Sequence, residues 1–174
     1  MGTDGTVVSS NPTVDTQFNF GTKKSFGAKK QKPKRGATAG TAYGAVGALF
    51  NFKTQKRNLK VVLSLGGPTA NENFTLAAST NVTRATFAST AVNLMANYGM
   101  DGIDIDWLFP LSDEDITNWL LLVAATRNAL DEYSLLYTPG YKYTLSVPLA
   151  AQPIFYNNFN ASTLAPLLKI VDNW

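Results

Sequence analysis

The sequence predicts an α/β fold with a parallel sheet, because short apolar runs typical of strands alternate with longer segments of helical periodicity. The strand-like runs are Leu59 to Leu65, Gly102 to Phe109 and Tyr143 to Leu149. They are separated by Val82 to Tyr98 and Ile116 to Leu136, which carry apolar residues at helical spacing. Consecutive strand–helix–strand units place their strands in parallel. This pattern fits both a doubly wound sheet and part of a (β/α)8 barrel.

Residues that interrupt regular structure follow the predicted elements. Gly66 and Gly67 follow the first strand run, and Pro110 follows the second. Gly99 stands at the end of the first helical segment, where a C-terminal cap belongs. These positions predict sharp ends for the two strands and the helix.

Two further helix signals complete the pattern. Ala42 to Lys56 has apolar residues spaced for one helical face. Ser112 and Asp115 have the spacing of a capping box and predict the start of the helix that includes Ile116 to Leu136.

The composition narrows the chemistry that the chain could perform. The 174 residues contain no cysteine and no histidine, which excludes a thiolate nucleophile, a histidine base and the usual zinc ligands. Hydrophobic residues make up 45% and charged residues 16%, which is ordinary for a globular protein of one domain. Acid–base chemistry would therefore depend on carboxylates, lysine or tyrosine.

The charge is uneven along the chain. Lys23 to Arg35 holds seven of the fifteen basic residues and no acid. Residues 1–40 are therefore predicted to form a basic, flexible segment that precedes a domain of residues 41–174. A nucleic-acid-binding arm is the alternative, but Phe26 is the only aromatic residue within the basic stretch, which argues against it. Neither a signal peptide nor a membrane helix is predicted, so the localisation stays open.

Met100 to Pro110 (MDGIDIDWLFP) resembles the motif on the fourth barrel strand of family 18 chitinases, and Ser64 to Gly67 (SLGG) resembles the strand before it. The similarity extends over roughly Thr41 to Trp174 and has a fungal-type character. The resemblance implies an α/β fold that is a partial (β/α)8 TIM barrel, with parallel strands three to five and their helices.

The resemblance also implies a set of site residues. Asp106 would orient the acetamide of the sugar, Asp104 would tune its proton, and Asp101 would support the strand end, in hydrolysis assisted by the substrate itself. The glutamate that protonates the leaving oxygen corresponds to Leu108, which cannot transfer a proton. General acid catalysis contributes roughly 10²–10⁴-fold, so we expect hydrolysis to be lost. Substrate contacts are expected, besides Asp106, at Gly66, Gly67 and Phe109.

The motif itself predicts how its side chains are arranged. Side chains alternate on a strand, so Asp104 and Asp106 should share a face with position 108, while Ile103 and Ile105 pack on the other. Two neighbouring buried aspartates cannot both ionise at low cost, so a shared proton is expected. Because acids on an otherwise apolar strand are costly to bury, their presence favours a functional origin.

The chain is shorter than the fold that it resembles. A complete barrel needs about 250 residues, and this sequence matches neither the first two strands nor those after the fifth. We interpret Leu59 to Leu65 and Gly102 to Phe109 as apolar on both faces apart from their few polar positions, so self-association through open edges and an exposed face is expected. Phe155, Tyr156 and Phe159 could stack on sugar rings, although packing is the favoured role.

The sequence therefore leads to a chitinase-like protein that binds chitin or chitooligosaccharides without hydrolysing them. No cofactor, metal or membrane partner is expected. Three alternatives stay open: a truncated chitinase derivative with no independent activity, a residual chitin hydrolase, and a nucleic-acid binder that acts through its basic segment.

Overall fold

A computed structural model describes residues 1–17, 44–68, 72–149, 159 and 161–174. The basic stretch Lys23 to Arg35 and the domain boundary expected after residue 40 lie outside these residues. The chain divides into two compact units, one of Met1–Val8 with Val61–Trp174 and the other of Ser9–Lys60.

In the part of the smaller unit that the structure describes there are two helices, α1 (Pro12–Thr16) and α2 (Gly44–Gln55). Asn11 caps α1, because its side-chain oxygen accepts a hydrogen bond from the Val14 N–H at 3.2 Å. Gly44 has a positive φ of 74°, and a Cβ there would overlap the backbone of α1. A glycine therefore allows the two helices to approach closely. The pattern from Ala42 predicted α2 but not α1.

The larger unit is built on a three-stranded parallel sheet in the order β1 (Val62–Gly66), β2 (Gly102–Asp106) and β3 (Thr144–Ser146). The prediction of parallel strands is confirmed. The strands are shorter than predicted, since β2 ends at Asp106 instead of Phe109 and β3 has three residues. Gly102 lies so close to β3 that a Cβ there would overlap the Thr144 carbonyl oxygen, which explains a glycine at the start of β2.

Four helices accompany the sheet within the described residues. Ser112 caps the longest of them, and its hydroxyl accepts from the Asp115 N–H at 2.9 Å, as predicted. Gly99 lies just after the preceding helix with φ 63°, where its N–H and that of Met100 return to carbonyls of the last turn. This is a Schellman ending, so the predicted cap is confirmed. The helices are α3 (Glu72–Ala78), α4 (Asn81–Asn97), α5 (Asp113–Tyr137) and α6 (Ala161–Ile170), of which α3 and α6 were not predicted.

The core lies between the helices and one face of the sheet. Ile103, Ile105 and Trp107 are buried on that face, and the Phe74 ring stacks on Trp107 with 5.2 Å between ring centroids. Each fully buried side chain of this size stabilises the fold by about 1.5–3 kcal/mol. Other large apolar residues that are fully buried in the described part of the chain include Phe87, Met95, Trp119, Leu122, Val123, Leu130, Leu145, Val147 and Leu167.

The opposite face of the sheet is more open and mainly polar. In the strand register Ser64 is beside Asp104, which is beside Ser146. Asp106 and Thr144 lie on the same face, since each is two residues from a member of that row. The few polar positions of these strands therefore lie together on one face, which makes that face less apolar than expected. Open edges remain the main reason to expect self-association.

The last residues continue the sheet beyond β3. Asn173 pairs in parallel with Ser146, and the Asp172 N–H donates to the Leu145 carbonyl at 2.8 Å. The Asp172 carboxylate accepts from the Leu145 N–H at 3.0 Å. A further parallel segment therefore begins at this edge. Among the described helices, none is long and apolar enough to cross a membrane.

Candidate functional site

The carboxylate of Asp104 lies in the middle of the polar face, held by both neighbouring strands. Its two oxygens accept one hydrogen bond each, from the Ser64 hydroxyl at 2.9 Å and the Ser146 hydroxyl at 2.7 Å. The parallel register aligns the three residues in one row, so the hydroxyls reach the carboxylate from opposite sides. This arrangement fixes the orientation of Asp104 once the three strands pair.

Asp106 lies two residues further, at the carboxyl end of β2. Burial raises the pKa of its carboxyl group above the usual range, and the negative charge of Asp104 raises it further. The proton of Asp106 is therefore retained to a higher pH than in an exposed aspartate. The direction of this pKa shift agrees with the expectation that two adjacent acids resist ionising together.

Gly66 and Gly67 bring the end of β1 against the end of β2. Their φ angles are 121° and 87°, a region that favours glycine, and the Gly67 N–H donates to the Asp106 carbonyl at 2.9 Å. A Cβ on Gly66 would overlap that same carbonyl oxygen and the Phe74 ring. A Cβ on Gly67 would lie 3.5 Å from a carboxylate oxygen of Asp106. The glycine pair thus forms the wall beside the Asp106 carboxyl group, and its expected contact with substrate stays a prediction.

Asp101 belongs to the other end of β2. Its carboxylate accepts from the Val61 N–H and the Tyr141 hydroxyl, both at 2.8 Å, and the residue is buried. Asp106 lies five residues further along the chain, at a distance of about 16 Å in an extended strand. The structure therefore does not bring Asp101 together with the other two motif acids, and its contacts tie the amino ends of the strands to the chain before β3.

Leu108 and Phe109 follow β2 in the segment that leads to α5. Both side chains are half-buried, and the peptide bond between them is cis. Leu108, which the resemblance aligns with the acid glutamate, carries no atom that could transfer a proton. Phe109 lies at the carboxyl edge of the sheet, where function concentrates in barrels of this kind.

Ser146 is a site residue that sequence reasoning missed. Its only signal was a hydroxyl residue in the third strand, and its alignment with Asp104 depends on a register that the sequence does not reveal. Ser64 was noted as part of the glycine motif, but its contact with Asp104 was not foreseen. Among the described residues, no cluster of three or more acids is placed to hold a metal ion.

The model of the glycosyl hydrolases family 18 matches residues 4–173, and the chain belongs to that family. This match begins well before Thr41, where the similarity inferred from motifs started. The fold agrees, because a structure of chitinase ChiA74 from Bacillus thuringiensis superposes on 97% of this chain with a TM-score of 0.77 at 26% identity. The sheet and helices therefore form part of a (β/α)8 barrel.

The relatives in this family include well-matched chitinases. Endochitinase 1 of Metarhizium anisopliae is 42% identical over 130 residues, and Chitinase 1 of Aphanocladium album is 44% identical over 131 residues. Each match covers 75% of this chain but only 31% and 30% of the respective relative. The chain thus spans about a third of the length of these relatives, and it covers 26% of the ChiA74 chain.

Proposed function

We propose that this chain is a chitinase-like protein that binds chitin or N-acetylglucosamine oligomers and does not hydrolyse them. The observation that carries the proposal is the pairing of Asp104 and Asp106 on the polar face with Leu108 at the position of the acid. The two aspartates supply polar contacts for a sugar amide, whereas the leucine supplies no proton for the leaving oxygen.

The position of Asp106 supports the binding half of the proposal. Its carboxyl group lies at the carboxyl end of β2 beside Gly67, where its oxygens can accept a hydrogen bond from the N–H of an acetamide. The Ser64 and Ser146 hydroxyls fix the orientation of Asp104, whose negative charge acts on Asp106. Together they form an oriented polar patch beside Gly67.

The missing acid supports the other half. Cleavage assisted by the substrate's own acetamide still requires protonation of the leaving oxygen. Without the residue that supplies it, the rate should fall by roughly 10²–10⁴-fold. The competing hypothesis of a residual hydrolase would require Asp106 or a water molecule to donate this proton.

A direct test separates binding from hydrolysis. Calorimetric titration with the N-acetylglucosamine tetramer should show saturable binding that Asp106→Ala removes, and a fluorogenic chitobiose substrate should not be turned over. Glu132→Ala, which removes an exposed acid on α5, is the matched control and should leave binding unchanged. Turnover above a mock preparation that Asp106→Ala abolishes would refute the loss of hydrolysis.

One observation favours a second candidate, a chitinase derivative with no activity by itself. The described site draws on β1, β2 and β3, while the matches cover only 31% and 30% of the two relatives. If sugar binding needs residues from the rest of such a barrel, titration of this chain will show no binding. Retention on heparin instead of chitin would favour the nucleic-acid alternative.

A further inference from the structure

Asn-X-Ser/Thr triplets occur in the sequence at residues 73–75, 81–83 and 160–162. This triplet is the acceptor pattern for an N-linked oligosaccharide, which is attached to the side-chain nitrogen of the asparagine. The structure describes the first two acceptors, Asn73 and Asn81, whereas Asn160 lies outside the described residues. Both described triplets end in threonine, so the main difference between them is how the fold holds the asparagine.

Asn81 is the first residue of α4, and it is exposed. Thr80 and Thr83 form a capping box around it, in which each hydroxyl accepts a hydrogen bond from the backbone N–H of the other residue at 3.1 Å. Val82, the middle residue of the triplet, is 76% exposed. The triplet therefore lies in an ordered helical turn on which Asn81 and Val82 face solvent, where a bulky sugar has room.

The Asn81 amide presents its oxygen to the protein. The Arg84 guanidinium donates to Asn81 Oδ1 and to the Ala78 carbonyl, and Arg84 itself is 8% exposed. A guanidinium has no acceptor, so the atom of Asn81 that faces it must be the amide oxygen. Nδ2 of Asn81 has no hydrogen-bond partner in the described part of the chain. The nitrogen is thus left for substitution.

Asn73 has the opposite arrangement. It is half-buried in α3, and its Nδ2 donates a hydrogen bond to the Met1 carbonyl at 2.8 Å. A carbonyl has no hydrogen to donate, so the atom of Asn73 that faces it must be the amide nitrogen. A sugar on Asn73 would be attached to the atom that makes this contact, in a place with less room.

We propose that Asn81 is a site of N-linked glycosylation when the chain is in the secretory pathway, and that Asn73 is not. The co-reactant is an oligosaccharide carried on a lipid diphosphate. A bond forms between Asn81 Nδ2 and the anomeric carbon of the sugar, the bond from that carbon to the diphosphate oxygen breaks, and one Nδ2 proton is released as the lipid diphosphate leaves. The product keeps Asn81 Oδ1 and its contact with Arg84, so the modified chain folds without losing a described hydrogen bond. The proposal does not depend on the proposed function.

The full chain, made in a yeast host behind a cleavable secretion signal, tests the proposal. The folded fraction is isolated by size-exclusion chromatography, denatured, treated with peptide N-glycosidase in H₂¹⁸O and digested with chymotrypsin. The glycosidase converts each glycosylated asparagine to ¹⁸O-labelled aspartate, and cleavage after Phe74 or Leu76 separates the two acceptors for mass spectrometry. A sample without the glycosidase controls for spontaneous deamidation.

The expected result is label at position 81 and none at position 73. Asn81→Gln, which keeps a side-chain amide, should abolish the label at position 81, and Asn73→Gln should retain it. The comparison of the two acceptors within the unaltered chain is decisive even if a variant folds poorly. Equal label at Asn73 and Asn81, no label at Asn81 in the folded protein, or a glycosylated chain that fails to fold while the chain made in bacteria folds, would each overturn the proposal.

Discussion

Replacing Asp172 by asparagine should destabilise the larger unit at neutral pH, because its carboxylate holds the chain after α6 against β3 and α5. Burial alone would raise the pKa of Asp172, but hydrogen bonds from Lys142 and the Leu145 N–H and the charges of Lys142 and Arg127 outweigh it, so the pKa is lowered. The Leu145 nitrogen lies 3.0 Å from one carboxylate oxygen of Asp172, and Lys142 Nζ lies 2.5 Å from the other.

The magnitude follows from these contacts. The Lys142 side chain is 70% exposed, so that ion pair contributes at most about 1 kcal/mol. Arg127 lies 3.5 Å away and also donates to Asp131 and the Tyr143 carbonyl. The amide of asparagine keeps one acceptor for the Leu145 N–H. We therefore expect the charge alone to be worth about 1–2 kcal/mol in the free energy of unfolding.

The pH dependence has a defined sign. A lowered pKa in the folded state means that the contribution of Asp172 is fully present above its unfolded pKa of about 3.9 and is lost as the pH falls through the folded value. Urea unfolding of Asp172→Asn and the unaltered chain, followed from pH 7 downward, should show a constant difference that closes below about pH 4.

Asp131→Asn is the matched control for this experiment. Asp131 pairs with the same Arg127 at 2.6 Å, but its side chain is 60% exposed, so its loss should cost less than about 1 kcal/mol. Equal losses in the two variants, or a difference for Asp172→Asn that grows as the pH falls, would refute the reasoning.

Three further predictions concern the sheet and its acids. Gly102→Ala should prevent stable folding, because the new Cβ would overlap the Thr144 carbonyl oxygen. A Cβ at position 140 would have no atom within 4 Å, so Gly140→Ala should cost only about 1 kcal/mol, for its positive φ. Thermal unfolding followed by circular dichroism distinguishes the two variants. Asp104→Asn should lower the pKa of Asp106 but leave it above the usual value, since burial is the larger cause, as carboxyl ¹³C titration would show. Leu108→Glu should not by itself produce strong hydrolysis of chitobiose, because the proposed site draws on the three described strands and would hold the sugar loosely. Strong turnover by this variant would contradict the reasoning.

The sequence predicted the middle of the larger unit well and its edges poorly. The burial of Ile103 and Ile105 opposite Asp104 and Asp106 follows from a period of two, which any strand must obey. The point at which a strand ends depends on how far its neighbouring strand pairs with it. Strand β3 is therefore short, although its apolar run continues to Leu149. Helix α3 was missed because its seven residues are too few to show a helical period.

The N-terminal residues illustrate the limit of local reasoning. Met1–Val8 belongs to the larger unit, where the Val7 N–H donates to the Thr90 hydroxyl at 3.0 Å and a Cβ on Gly5 would overlap the Thr83 carbonyl oxygen. These contacts join residues about eighty positions apart, and neither partner carries a pattern that announces the other. The ring contact between Phe159 and Trp119 likewise joins distant residues without a pattern that announces it. Phe155 and Tyr156 lie outside the described residues.

The arrangement of the acids explains why binding and hydrolysis can part in this chain. The Ser64 and Ser146 hydroxyls orient the Asp104 carboxylate, and Asp106 lies between Asp104 and the close backbone of Gly67. The geometry of the two aspartates is therefore complete once β1, β2 and β3 pair. By the resemblance, proton donation to a leaving oxygen is a separate requirement of position 108, beyond the last residue of β2. Under the proposed function, a leucine at that position would leave out the acid without disturbing any contact that orients the two aspartates. Loss of the acid is therefore compatible with an intact polar patch, which is the physical basis for expecting sugar binding without cleavage.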